Sequence, residues 1–262
     1  MNTVEQSFER FRHLPPRRPY GQEQEPLTDD ASPAEPPPTF PAPVSARQLI
    51  ADYPEMKPVI IDGVLRETET VNIVAGPKSH KTYLALSLAL SIAIGRQWLG
   101  REVKSGRVLY IDCELHPETF AKRLAAGSSA MGITADALSA QLSVLSLRGR
   151  LIDIYSLGAF IRTLAKGEYA CIVLDALYRL FPERFDENSN ADMTALYNVI
   201  DGYAELTGAA FVVIHHASKG NHRGKAVTDV GSGAGSQSRA ADSHLVFRPH
   251  EEDGCVVVEG AV

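Results

Sequence analysis

Residues 70–82 read Thr70-Val71-Asn72-Ile73-Val74-Ala75-Gly76-Pro77-Lys78-Ser79-His80-Lys81-Thr82, and the reading of this stretch decides the fold. Thr70–Ala75 is short, apolar and rich in β-branched residues, which predicts a buried strand. A Gly-Pro loop follows, and Tyr83–Gly95 is then apolar almost throughout, which predicts a core helix. That run is too short to cross a bilayer and contains Ser87 and Ser91, so no membrane span is expected. Strand, loop and helix in this order match the phosphate-loop pattern of Gly, four residues, then Gly-Lys-Ser/Thr, at its last two positions, Lys81 and Thr82. The first glycine position holds Ala75 and the second His80, with Gly76 one place late. A side chain at position 80 costs energy if the loop needs a positive φ there.

The chemistry of such a loop requires backbone N–H groups wrapped around phosphates at a helix N-terminus, where the dipole also favours anions. On this reading Gly76, Pro77, Lys78, Ser79, His80, Lys81 and Thr82 enclose the phosphates. Lys81 neutralises the β- and γ-phosphates, and the Thr82 hydroxyl ligates magnesium. The competing reading is a plain Gly-Pro turn between a strand and a helix. A Lys-Thr pair opening an apolar helix favours the first.

Working outward, the chain alternates apolar runs with helical patterns. Arg107–Asp112, Leu142–Leu147, Ala170–Leu174 and Ala209–Ile214 read as further strands, and His244–Arg248 and Cys255–Val258 as two late ones. Pro117–Ala126 opens a helix with Pro and Glu in its first turn. Leu157, Phe160, Ile161 and Leu164 recur at helical spacing, and Met193, Leu196, Ile200, Tyr203 and Leu206 mark one face of a longer helix. Apolar strands separated by amphipathic helices predict an α/β fold, a mostly parallel sheet with helices on both faces.

Carboxylates stand at strand ends. Cys171–Leu174 runs into Asp175, which in a phosphate-loop fold lies at the carboxyl edge of the sheet, where it can hold magnesium directly or through water. Val108–Ile111 runs into Asp112-Cys113-Glu114, two carboxylates two residues apart and so on one side. Glu114 is nearer the edge and suits polarisation of the attacking water. In the alternative, Glu114 begins the cap of the following helix and Asp112 is the functional group. Val213-Ile214 runs into His215-His216, whose side chains point to opposite faces, so at most one meets the nucleotide. That histidine is either a γ-phosphate sensor or half of an ordinary packed-and-solvated pair. His215–Arg239 then contains five glycines, four basic groups (Lys219, Arg223, Lys225, Arg239) and one acid, Asp229. It reads either as a local contact for a nucleic-acid backbone or as a solvated surface loop. It lacks interleaved aromatics, so base stacking is not expected.

Composition bounds the rest. The 262 residues carry 26 Lys+Arg against 32 Asp+Glu, a net charge of −6, which excludes a protein that coats nucleic acid through global charge. Ten of the 16 prolines precede residue 44, and residues 1–45 are net −3. These residues predict a disordered tail, because too few apolar groups are present to offset the entropy of ordering, and without a basic n-region followed by an apolar stretch the tail does not read as a secretory signal. Residues 46–262 are then the folded domain, and they too are net −3. Cys113, Cys171 and Cys255 are too few and scattered for a disulfide framework or zinc site, which points to a reducing compartment.

Taken in order, the stretches IVAGPKSHKTYLALSLALSIA, VLYIDCELHPETFAKRL, CIVLDALYRLFPERFDENSNADMTALYNVID, FVVIHHASK and VGSGAGSQSRAAD resemble a RecA-type P-loop ATPase core. Most closely the chain is similar to RepA-like hexameric replicative helicases and the related AAA family ATPases of plasmids and phages. The resemblance spans about Pro58 to Val258. It implies ATP and Mg2+ as cofactors, Lys81 and Thr82 as the phosphate-loop pair, Glu114 as the catalytic glutamate, and Asp175 as the magnesium-associated carboxylate. It also implies His216 as the sensor, a channel-facing loop at Lys219–Arg239, and an arginine supplied by a neighbouring subunit, for which Arg239 is the candidate and Arg223 the alternate. The chain stops at Val262, just after a strand, where the family would continue its sheet, so a C-terminally incomplete domain is an expectation too.

The expectation is therefore a cytoplasmic, magnesium-dependent ATPase that couples hydrolysis to movement on single-stranded DNA in replication or recombination, as a hexameric ring. Two other classes compete with it: a RecA-fold regulatory ATPase acting on a protein partner, and a nucleotide-binding module that does not hydrolyse.

Overall fold

The computed structural model describes residues 40–76, 81–216, 239–252 and 255–261. The expected tail lies largely outside these residues, as do Pro77, Lys78, Ser79 and His80 and the stretch 217–238. The chain divides into two compact units between Met56 and Lys57. The described part of the first holds one helix, α1 (Ala46–Asp52), whose N-cap Ser45 accepts a 3.1 Å hydrogen bond from the Gln48 N–H; none of its residues is buried.

In the second unit the elements run β1 (Val59–Ile61), β2 (Leu65–Arg66), β3 (Thr70–Ala75), α2 (Lys81–Ile94), β4 (Val108–Asp112), α3 (Pro117–Ala130), α4 (Ala135–Ser139), β5 (Leu142–Ser146), α5 (Ile154–Ile161), β6 (Cys171–Asp175), a 3-10 turn (Leu177–Leu180), α6 (Asn190–Thr207), β7 (Ala210–His216), β8 (Ser243–Pro249) and β9 (Val256–Ala261). β1 and β2 form an antiparallel pair. The main sheet has seven strands in the order β5-β4-β6-β7-β3-β8-β9. All neighbours are parallel except β9, which runs antiparallel to β8 at the edge. The predicted α/β class and mostly parallel sheet are observed.

β3 is buried at all six residues, which explains its continuous apolar run: both faces are covered. One face meets α2. Val71, Ile73 and Ala75 share a core cluster with Leu86, Leu88, Leu90 and Ile92 of α2, and with Val108, Tyr110, Val173, Val212 and Ile214. α2 is apolar nearly all round because the sheet lies on one side of it and α3 on another. Full burial of each such Leu or Ile contributes roughly 1.5–3 kcal/mol. The other face meets α6, where the Tyr197 hydroxyl donates a 2.6 Å hydrogen bond to the buried Asn72 Oδ1. Asn72 and Val71 alternate, so α2 and α6 lie on opposite faces of the sheet. α6 is bounded by sequence: the Ser189 hydroxyl accepts from the Asp192 N–H, and Gly208 ends the helix at φ 73°. Gly106, before β4, is needed for close approach, since a Cβ there would lie 2.4 Å from the Ala170 Cβ.

Several features were not anticipated. α1, the β1–β2 pair, α4 and the 3-10 turn are too short to show a period, and β9 is antiparallel, as sheets of this kind often allow at an edge.

Candidate nucleotide site

The register aligns the strand ends. Ala75 pairs with His216 on one side and Phe247 on the other, while Asp112 pairs with Asp175 and Ser146. These residues form the carboxyl edge of the sheet, and α2 begins just beyond Ala75 and Gly76. Such an edge is where parallel sheets bind ligands.

Lys81 is the first residue of α2 and is buried, 9% exposed. Its Nζ donates to the carbonyl oxygens of Ala75 at 3.0 Å and Gly76 at 2.8 Å, closing the two ends of the loop on each other. An ammonium has three N–H donors, so one remains beyond these two. Burial lowers the Lys81 pKa, opposed by the nearby Glu114 and Asp175 carboxylates. Thr82 comes next, and its hydroxyl lies beside the Asp175 carboxylate, close enough to help hold that carboxyl's pKa down. The phosphate-loop pair and the strand-end carboxylate are thus in contact, although 93 positions separate Thr82 from Asp175 in the sequence.

Asp175 is 3% exposed. Its Oδ2 accepts a 2.6 Å hydrogen bond from the Tyr110 hydroxyl, itself fully buried. Burial pushes the Asp175 carboxyl up to about 6; Asp112 and Glu114 add to the rise, and the Tyr110 and Thr82 hydroxyls oppose it. Burial beside Asp175 holds the Tyr110 phenol well above its usual range. Asp112 is wholly buried, and its carboxyl is also raised, by burial first. Its Oδ1 accepts the backbone N–H groups of Glu114 and Leu115, both at 3.2 Å, while Oδ2 is buried with no partner among the described residues. Glu114 is half-buried at the mouth, and its charge reaches Lys81, Asp112 and Asp175. The N-cap of α3 is His116 and not Glu114, and the His116 side chain makes no capping bond. Cys113, between the acids, has its thiol pushed up to about 12 by burial and is not a nucleophile. All three cysteines are free.

Three carboxylates around one ammonium leave an excess of negative charge, and two of the three are already raised toward protonation. A hydroxyl, Thr82, and a carboxylate, Asp175, are hard oxygen ligands that suit magnesium in sites where substrate phosphates supply further ligands. The residues present fit that ion.

The remaining expected residues are placed as follows. His216 ends β7 in register with Ala75, beside the loop. His215 is buried, 2% exposed, with its ring centre 6.5 Å from that of Phe181. Arg239 is not brought to the other residues. It is exposed and lies four residues before β8, whose Ser243 pairs with Val71 at the opposite end of β3. At about 3.3 Å per residue, the two ends of β3 are about 17 Å apart. The basic residues Lys219, Arg223 and Lys225 are outside the described residues.

Tyr110 and Arg123 are participants that the motifs did not flag. Tyr110 stands two residues before Asp112 on the same face of β4, so strand alternation is the signal that would have found it. Arg123 lies on α3 with its guanidinium 5.5 Å from the centre of the Tyr83 ring, and its charge lowers the pKa of both Asp112 and Tyr110. Nothing in its local sequence distinguishes it.

Among the described residues no helix is long and apolar enough to cross a membrane. A family model described as an AAA domain matches residues 33–222, well over half of the chain. The matched span includes β1 through β7 and every site residue from Gly76 to His216, and ends before Arg239.

Proposed function

Because the chain belongs to the AAA domain family, a family of RecA-type P-loop nucleotide-binding ATPases, we propose that it hydrolyses magnesium-bound ATP at the carboxyl edge of its sheet and couples this to movement on single-stranded DNA, as a hexameric ring. The observation that carries the reading is the contact between Thr82 and Asp175, with Lys81 buried beside them and Glu114 at the mouth. A strand, a helix N-terminus and a second strand converge there on the groups that phosphate chemistry needs.

In this reading residues 76–82 wrap the triphosphate and Lys81 turns an N–H toward the β- and γ-oxygens. Thr82 and Asp175 would hold Mg2+, which when bound neutralises charge on the phosphate oxygens. Asp175 must then be ionised, with the Thr82 hydroxyl turned toward the ion beside it. Glu114 orients the attacking water and accepts its proton. Its place at the open end of the acidic group suits it to meet water, whereas Asp112 is sealed inside. His216, beside the loop at the end of β7, senses the γ-phosphate.

Arg239 serves a neighbouring copy, stabilising charge on the transferred phosphoryl group. Its exposed position at the far end of β3 favours action between copies, since within its own chain it is an edge away from Lys81. Single-stranded DNA is held by the basic loop at Lys219–Arg239. Three free thiols accord with a cytoplasmic, reducing setting.

The test is ATPase activity with and without single-stranded DNA over a range of salt. Stimulation by DNA that weakens as salt rises supports the reading. Hydrolysis indifferent to DNA assigns the protein to regulatory ATPases that act on a protein partner. Nucleotide binding without hydrolysis makes it a binding module.

A further inference from the structure

Asp112 is an expensive residue where it stands. It is wholly buried, its Oδ2 has no partner among the described residues, and it lies in register beside Asp175 and two residues from Glu114. Like charges this close oppose one another, and a buried carboxylate oxygen without a partner costs stability. Among the described residues its side chain makes two hydrogen bonds, accepted through Oδ1 from the backbone N–H groups of Glu114 and Leu115.

The other end of the same residue is also held. The Arg148 guanidinium, from the loop after β5, donates to the Glu114 carbonyl oxygen. The strand end beneath is locked in turn. The Cys113 N–H donates to the Asp175 carbonyl at 2.7 Å, and the Leu147 N–H donates to the Asp112 carbonyl at 2.7 Å. Glu114 has left the ladder of β4, yet its N–H and its carbonyl are both bonded by side chains of fixed identity.

We propose that Asp112 and Arg148 are positioning residues that clamp the Glu114 main chain from its two sides and so fix where the Glu114 carboxylate meets the attacking water. The proposal rests on Glu114 being the catalytic base. A base on an unpaired turn after a strand would sample many positions, and a shift of about 1 Å can cost about a hundredfold in rate. A single carboxylate oxygen that accepts two successive backbone N–H groups holds the turn at two points, and neither bond competes with water because Asp112 is buried. The three hydrogen bonds of the clamp all end on the main chain of Glu114 and Leu115, so it bears on turnover and not on nucleotide affinity.

The experiment compares kcat and, separately, calorimetric affinity for magnesium-ATP in the full chain, its Asp112→Ala, Asp112→Asn and Arg148→Ala variants, and the same changes made on Glu114→Gln. Asp112→Ala and Arg148→Ala should each lower kcat about tenfold or more while the dissociation constant stays within about twofold. Asp112→Asn keeps an acceptor oxygen and should retain kcat within about threefold. On the Glu114→Gln background neither change should lower the residual rate further, since there is no base left to position. Arg148 is exposed, so its variant keeps the test open if Asp112→Ala does not fold. Unchanged kcat in Arg148→Ala overturns the clamp, and so does a kcat loss matched by an equal loss of affinity, or a further loss on the glutamine background. Wild-type turnover in Glu114→Gln alone identifies a different failure, that of the base assignment itself.

Discussion

The Tyr110 hydroxyl donates a 2.6 Å hydrogen bond to the Asp175 carboxylate across the β4–β6 pair, with both residues buried in the sheet. This bond joins the strand that leads to Glu114 to the strand whose end touches Thr82. The acidic side of the site is therefore braced from inside the core, where water does not compete for the bond.

Tyr110→Phe removes that donor and leaves a buried carboxylate oxygen short of a partner, a change that costs about 1–3 kcal/mol. The hydrogen bond holds the Asp175 pKa down, so its loss moves that pKa further above about 6. Asp175 must be ionised to hold magnesium in the proposed site. The acid limb of ATPase activity should therefore shift to higher pH and the melting temperature fall, both read on the same purified variant.

Lys81→Ala deletes the ammonium that closes the loop on Ala75 and Gly76. Magnesium-ATP binding should be lost in calorimetry. An affinity equal to that of the unaltered chain would show that the nucleotide sits elsewhere.

Glu114→Gln keeps the shape of the side chain and removes its basicity. The variant should bind ATP as before and hydrolyse it about 10²–10⁴-fold more slowly, as measured by phosphate release under single turnover. Turnover at the original rate would assign the base to another group.

Asp201, on α6, is remote from the site and makes a stability prediction. Its carboxyl is pushed up to about 6 by desolvation and by the neighbouring Asp242 and Glu205 carboxylates, an effect that solvent moderates because the residue is exposed. The folded chain thus binds this proton more tightly than the unfolded chain, so Asp201 destabilises the fold above pH 6 and ceases to do so as pH falls toward 4. Asp201→Asn should raise the melting temperature by roughly 1–3 °C at pH 7.5 and leave it little changed at pH 4.5. Equal shifts at the two pH values would show that the charge is not the cause.

Much of the sheet was legible because buried parallel strands have no polar side. Thr70–Ala75 was read with its observed bounds, and Asp112 and Asp175 were rightly placed at strand ends. The longer helices were legible through their apolar period, Met193, Leu196, Ile200 and Tyr203 above all, each of which is buried. β1, β2 and α4 were not, because elements of two to five residues contain less than a full pattern. The paired histidines show the middle case. Alternation requires that they part, and the structure shows His215 buried near Phe181.

By itself the sequence determined the order of the longer strands and helices, the family, and the identities of Lys81, Thr82, Glu114 and Asp175 as the polar residues at apolar ends. Those properties are local, since burial on both faces writes itself into consecutive residues. Tertiary structure alone decided that Thr82 touches Asp175, that Tyr110 braces Asp175 from within, that Asp112 serves the Glu114 backbone, and that Arg239 lies an edge away from Lys81. Each of these depends on strand order and register, in which residues far apart in the chain become neighbours at about 4.8 Å spacing. No pattern along one strand records which other strand will lie beside it.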